Sequence, residues 1–152
     1  MDEDRLIRNT RPNHFIAISK FTLGSVVQNL NIKNWPVHCF SIGSTSDAIF
    51  RNIHLDNTDG NAPNDRGKGL PAAHNSDGFD MSNSNNSIIT NSTVLNQDDC
   101  VAITSGNNIT VSDMYCSGGH GISIGSVGGK SNNNVTNILV SIFVVQVWSS
   151  QI

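Results

Sequence analysis

Asp77-Gly78-Phe79-Asp80-Met81, Asp99-Cys100-Val101-Ala102-Ile103 and His120-Gly121-Ile122-Ser123-Ile124 are three versions of one pattern. In each, an acidic or histidine residue opens a short apolar run. The pattern recurs after about 22 and then about 21 positions, a period that signals coils stacked in a solenoid. In such an array, equivalent positions of neighbouring coils lie about 4.8 Å apart. The stretch from Asp77 to Ile124 therefore sets two carboxylates and an imidazole on one wall, with Asp98 beside them.

From about Gly24 the rest of the chain has the same texture, short β-branched runs broken by Asn, Gly and Asp. Candidate strands include Val26-Val27, Leu30-Asn31-Ile32, Phe40-Ser41-Ile42, Ala48-Ile49-Phe50 and Ile53-His54-Leu55. Further on come Ser87-Ile88-Ile89, Thr93-Val94-Leu95 and Ile109-Thr110-Val111. Apolar residues at i and i+2 are the spacing of a half-buried strand, and no helix-length pattern separates them. Aligning the coils places Phe40, Phe79, Val101 and Ile122 at equivalent inward positions. The step from Phe40 to Phe79 is too long for one coil. Its excess falls in Asp56–His74, whose Gly, Asn and Pro content reads as a surface loop. Asn31, Asn34, Asn52, Asn57, Asn91 and Asn96 fall at expected coil corners, where Asn tolerates a left-handed backbone. The fold predicted is all-β, a right-handed parallel β-helix incomplete at both ends. A β-sandwich is the alternative, but its strands need no constant period.

At 152 residues the chain is one domain or part of one. Charged residues are only 14% and the net charge is −3, which gives no reason to expect nucleic acid or a membrane as partner. Met1-Asp2-Glu3-Asp4-Arg5 carries no signal-peptide core. Sequons at Asn85, Asn91, Asn108 and Asn134 are compatible with secretion. Among the three cysteines, Cys100 and Cys116 flank the candidate site and are the candidate disulfide in an oxidising compartment; buried free thiols are the alternative. The segment before Gly24 is too polar to cap a solenoid convincingly. From Ile138 the character changes to an apolar run reaching Trp148, too short for a membrane span. It reads as a divergent tail over 138–152, either a final buried strand or an exposed, aggregation-prone end.

Paired carboxylates are what glycosidic hydrolysis needs, one to protonate the leaving oxygen and another to activate water. Crowding splits their pKa values, because like charges a few ångströms apart do not all ionise cheaply. Asp77, Asp98 and Asp99 form such a crowd, and His120 is placed to hold a proton network. The residues alone leave two other readings open: turn aspartates, or a Ca²⁺ site. His38 and His74 are read as structural.

Three blocks carry a resemblance: Asn75-Ser76-Asp77-Gly78-Phe79-Asp80, Gln97-Asp98-Asp99-Cys100 and the run from Cys116-Ser117-Gly118-Gly119-His120-Gly121 to Lys130. Their order and spacing resemble the signature blocks of polygalacturonases, pectin-depolymerising glycoside hydrolases. Asn31–Phe40 and Leu70–His74 add similarity to fungal endo-acting members, so the likeness covers about Arg11 to Asn137. It implies a parallel β-helix domain over 1–137, Asp98 as general acid, and Asp77 and Asp99 as the carboxylates that hold and deprotonate water, with inversion at the anomeric carbon. It also implies His120 as support for the acid, Asn75 and Lys130 as substrate-binding residues, and a Cys100–Cys116 disulfide. The implied protein is a secreted monomer that acts on polygalacturonate without metal or cofactor.

Coil spacing of about 4.8 Å would by itself suggest a retaining enzyme, so coil arithmetic does not settle stereochemistry. Ser76 stands where the family more often has Thr. The family's Arg-Ile-Lys block, which grips the substrate carboxylate, and its downstream tyrosine are missing. The expectation is a truncated polygalacturonase of little or no activity. The rivals are a Ca²⁺-dependent β-helix pectate lyase and a non-catalytic pectin-binding fragment.

Overall fold

The computed structural model describes residues 12–65, 68–128 and 131–146, with only the backbone of Ile142. Lys130 and the apolar run from Val147 lie outside the described residues.

Among the described residues, ten strands form two parallel sheets that the chain visits in turn. The front sheet runs β1 (His14–Ser19), β3 (His38–Gly43), β5 (Phe79–Ser82), β7 (Asp99–Ile103) and β9 (Gly121–Ile124). The back sheet runs β2 (Val26–Lys33), β4 (Ile49–Asp56), β6 (Ser84–Leu95), β8 (Gly106–Ser117) and β10 (Val135–Gln146). Each strand pairs with the strand two steps away in sequence, so every coil adds one strand to each sheet. That is the parallel β-helix expected from the period.

Register decides which side chains stack. Ile16, Phe40, Phe79, Val101 and Ile122 form one inward column of the front sheet, the alignment expected from sequence. Phe40 and Phe79 lie ring on ring, centroids 5.1 Å apart and nearly coplanar, with Phe50 edge-on to Phe40. Such aromatic pairs add about 0.5–1.5 kcal/mol beyond the area they bury. Phe40, Phe50, Phe79, Val101, Ile103 and Leu55 are fully buried. The alternate residues Ser41, Asp80, Ala102 and Ser123 form the column that faces out of the same sheet.

The back strands are longer than the sequence pattern suggests. Ser87–Ile89 and Thr93–Leu95 belong to the single strand β6, which bends at Asn91. Asn29, Asn52, Asn91 and Asp113 take left-handed φ values of 60°, 52°, 46° and 53° inside four successive strands. Asn and Asp tolerate that conformation because their short polar side chains bond locally. Of the expected corner asparagines, Asn34, Asn52 and Asn91 are left-handed, whereas Asn31, Asn57 and Asn96 are not. Asn57 and Asn96 are buried instead, with their side-chain amides hydrogen-bonded.

Two end regions depart from the sequence pattern. The polar segment before Gly24 contains β1, where Ile16 and Ile18 alternate and pair in register with Phe40 and Ile42. β10 crosses the expected junction at 137/138 and pairs with β8 from Val135 to Gln146. Val135, Ile138 and Phe143 pack against the core, while Leu139, Val140, Val144 and Val145 are exposed. The surface loop after Asp56 holds one 3₁₀ turn, Thr58–Gly60. Among the described residues no helix is long and apolar enough to cross a membrane.

Candidate active site

The site forms where coils enter the front sheet, and close backbone packing brings its parts together. A Cβ on Gly119 would lie 1.9 Å from the Asp98 carbonyl oxygen, so only glycine lets the His120 turn sit against the Asp98 turn. Gly78 does the same one coil earlier, under the Cys100 carbonyl and Val94. The His120 amide donates to the Asp98 carbonyl (2.9 Å) and the Gly78 amide to the Asp99 carbonyl (2.9 Å).

Beneath the turns lies a buried amide frame. Asn96 Nδ2 donates to the Ser76 and Asp99 carbonyls, each at 2.9 Å. Gln97 Nε2 donates to the Asn57 carbonyl and to Asn61 Oδ1, while its Oε1 accepts from Ser76 Oγ and Asn57 Nδ2. Every side-chain capacity of Gln97 is used, so the long loop, the Asp77 turn and the Asp98 turn are locked as one unit. The Cys100–Cys116 disulfide, Cα atoms 5.9 Å apart, ties β7 to β8 at the same end. Cys39 is a buried free cysteine whose thiol is pushed up to about 12 by burial.

Two clusters meet at an open cleft of about 450 Å³ whose lining includes His38, Asn75, Asp77, Asp80, Asp98 and Asp99. In the first, Asn75, left-handed at φ 61°, donates its amide to Asp98 Oδ2 at 3.0 Å. His120 Nδ1 lies 3.3 Å from Asp98 Oδ1 and 3.8 Å from Asp99 Oδ1, and its ring is largely exposed. Asp98 Oδ1 also accepts the Asp99 amide, and Ser123 Oγ donates to Asp99 Oδ1 at 2.5 Å. In the second, His38 Nδ1 lies 2.5 Å from Asp80 Oδ2 and 3.4 Å from Asp77 Oδ1. Burial, then repulsion from Asp80 and Asp98, pushes the Asp77 carboxyl up to about 7. His38 is raised above its ordinary value, foremost by the Asp80 carboxylate against it, with burial opposing.

The structure thus brings together Asn75, Asp77, Asp98, Asp99 and His120, all named from sequence. His38, read there as structural, is a cleft residue, as is Asp80, and Ser123 bonds Asp99. A signal for His38 existed. It precedes inward Phe40 by two positions, as Asp77 precedes Phe79, Asp99 precedes Val101 and His120 precedes Ile122. The long loop after Asp56 hid that fourth member by breaking the period. His74 makes a local contact, its Nδ1 3.1 Å from the Pro71 carbonyl.

Each cluster offers ligand atoms within 4.8 Å of one another. Both mix imidazole with carboxylate, unlike the all-oxygen set that Ca²⁺ takes. A larger concavity, about 670 Å³, follows the bend of the back sheet beside Asn31, His54, Thr93 and Tyr115. It holds no comparable crowd of carboxylates.

A parallel β-helix whose front wall gathers carboxylates in one cleft, with imidazoles against them, has the parts of an acid–base hydrolase. Residues 4–147 match the family described as Glycosyl hydrolases family 28, and the chain belongs to it. It is 60% identical over 131 residues to a protein of Emericella nidulans named probable endopolygalacturonase D, covering 86% of this chain and 25% of that protein. It is 57% identical to a polygalacturonase of Fusarium fujikuroi, covering 86% and 35% respectively. The solved structure of endopolygalacturonase I from Stereum purpureum complexed with two galacturonate aligns with TM-score 0.71 at 39% identity, covering 86% of this chain and 36% of that one. The chain therefore spans about a quarter to a third of the length of these relatives.

Proposed function

We propose that this cleft hydrolyses α-1,4 bonds between galacturonate units of pectin, in a secreted protein. The observation that carries the reading is the convergence of Asp77, Asp98 and Asp99 on one cleft, in a fold shared with a galacturonate-complexed relative.

Burial, then repulsion from Asp80 and Asp98, raises the Asp77 carboxyl to about 7, so Asp77 is fully available as a base only above that pH. Asp98, as general acid, gives a proton to the glycosidic oxygen as the bond to the anomeric carbon breaks. A water held by Asp77 and Asp99 attacks that carbon from the opposite face and gives its own proton to one of them, inverting the configuration. His120 and Asn75 hold Asp98 from its two oxygens. Ser123 fixes the rotamer of Asp99. The sequon residues Asn85, Asn91, Asn108 and Asn134 are all exposed, which suits a secreted chain.

The test is release of reducing ends from polygalacturonate by the chain and by Asp98→Asn. Weak release that disappears in the variant is expected. Unsaturated, ultraviolet-absorbing products lost on chelation would overturn the reading, and so would galacturonan binding without turnover.

A further inference from the structure

We propose that His38 is a positioning residue of this cleft, bracing Asp77 and Asp80 so that Asp77 stays turned towards its partners on the next coil. The proposal rests on the hydrolase reading for its kinetic consequence only; its structural content stands on geometry.

His38 opens β3, one coil before the carboxylates it meets. Its backbone is fixed by its own N–H, which donates to the Asn13 carbonyl at 3.0 Å. The ring lies beside that of His14 on the coil before, centroids 5.4 Å apart. From this anchor one nitrogen, Nδ1, reaches both Asp80 Oδ2 and Asp77 Oδ1. The hydrogen bond to the Asp80 carboxylate is the strongest influence on the ring, with attraction to Asp80 and Asp77 added to it.

Asp77, Asp80 and Asp98 face the ring from two later coils, and His14 faces it from the earlier one. Three carboxylates against one neighbouring imidazole favour a protonated His38. Without the ring, Asp77 and Asp80 would repel at close range, with nothing between them but solvent. Asp77 would then either keep its proton or swing away from Asp98, and either outcome removes a base from the water site. Asp80 would also stand uncompensated in the wall along which a polyanion must lie. An imidazole that served only to fill a cavity would need neither carboxylate.

The experiment is a pair of measurements on this chain and on His38→Ala, His38→Gln and Asp80→Asn. Carboxyl and imidazole titrations are followed by NMR, with circular dichroism to check folding. Asp80→Asn is expected to lower the His38 midpoint, and His38→Ala to raise that of Asp77. If turnover on polygalacturonate is present, His38→Ala lowers kcat about tenfold with KM nearly unchanged, and His38→Gln recovers most of that loss. An unmoved Asp77 midpoint in folded His38→Ala overturns the proposal, as does equal loss of kcat in the Ala and Gln variants. If His38→Ala does not fold, the His38 midpoint in Asp80→Asn decides: unchanged, it refutes the brace. A wild-type chain without turnover counts against the hydrolase reading and leaves the titrations to judge His38.

Discussion

The front and back sheets are built by the same coils, yet their outward faces do opposite things. On the back face polar side chains satisfy one another from coil to coil. Asn52 bonds Asn29, Arg51 bonds Gln28, Thr90 meets Ser112 at 2.8 Å, and Thr136 bonds Asn107. On the front face the outward residues near the strand starts are acids and imidazoles that crowd one another across coils. Pairs without like charges are content at coil spacing, whereas like charges at that spacing shift their own proton affinities. A solenoid thus makes a site simply by changing what it stacks. The core column beneath need not change, and Phe40 and Phe79 stack under the cleft as ordinary packing.

The contrast is sharpest in activity. Asp98→Asn on the front face is expected to cost about 10²–10⁴-fold in turnover, the scale of a lost general acid, read as reducing ends released. The fold should survive, because the amide oxygen keeps the contacts of one Asp98 oxygen. Turnover unchanged in the variant would mean that the front face is not the reacting one.

Gly119→Ala comes next. Its new Cβ would collide with the Asp98 carbonyl, which belongs to backbone and yields little. A loss of about 1–3 kcal/mol in urea unfolding is expected, with loss of activity alongside. Full stability would show that the two turns are not packed as described.

A subtler difference lies in pH. Asp77 is raised from 3.8 to about 7, so the folded chain binds its proton more tightly than the unfolded chain does. Stability from this group is complete at acid pH and falls as pH rises from about 4 to about 7. His38, also raised, contributes below 6.5 and loses its contribution as pH climbs through its folded midpoint, the same direction. Asp77→Asn should flatten the dependence of melting temperature over that window by less than one proton's worth, given partial solvent screening. A Tm that rises with pH between 4 and 7 through Asp77 would contradict the burial argument.

The smallest effect belongs to the back face. Thr90→Ala removes one ladder contact to Ser112 and one to Asp113, and should cost about 1 kcal/mol or less with turnover unaltered. A large kinetic effect there would erase the distinction between the two faces.

Much of this was legible in the residues. A period of about 22 positions is a local property of sequence, so it revealed the coils, the inward column from Phe40 to Ile122 and the wall bearing Asp77, Asp99 and His120. β1 was harder to see because Ile16 and Ile18 alternate within polar surroundings. The continuous strand β6 was obscured by Asn91, which looks like a corner but bends the strand without ending it. His38 was missed because the loop after Asp56 interrupts the interval that would have aligned it.

The sequence by itself determined the coil, its core and the identity of the acids, since each depends on neighbours one coil away at nearly constant separation. Tertiary structure alone decided which imidazole meets which carboxylate, that Gln97 locks three segments together, and that burial raises the Asp77 carboxyl. Those depend on distances across a long loop and on how deeply each carboxyl sits. Coulomb repulsion and desolvation change over a few ångströms that no spacing in the chain records.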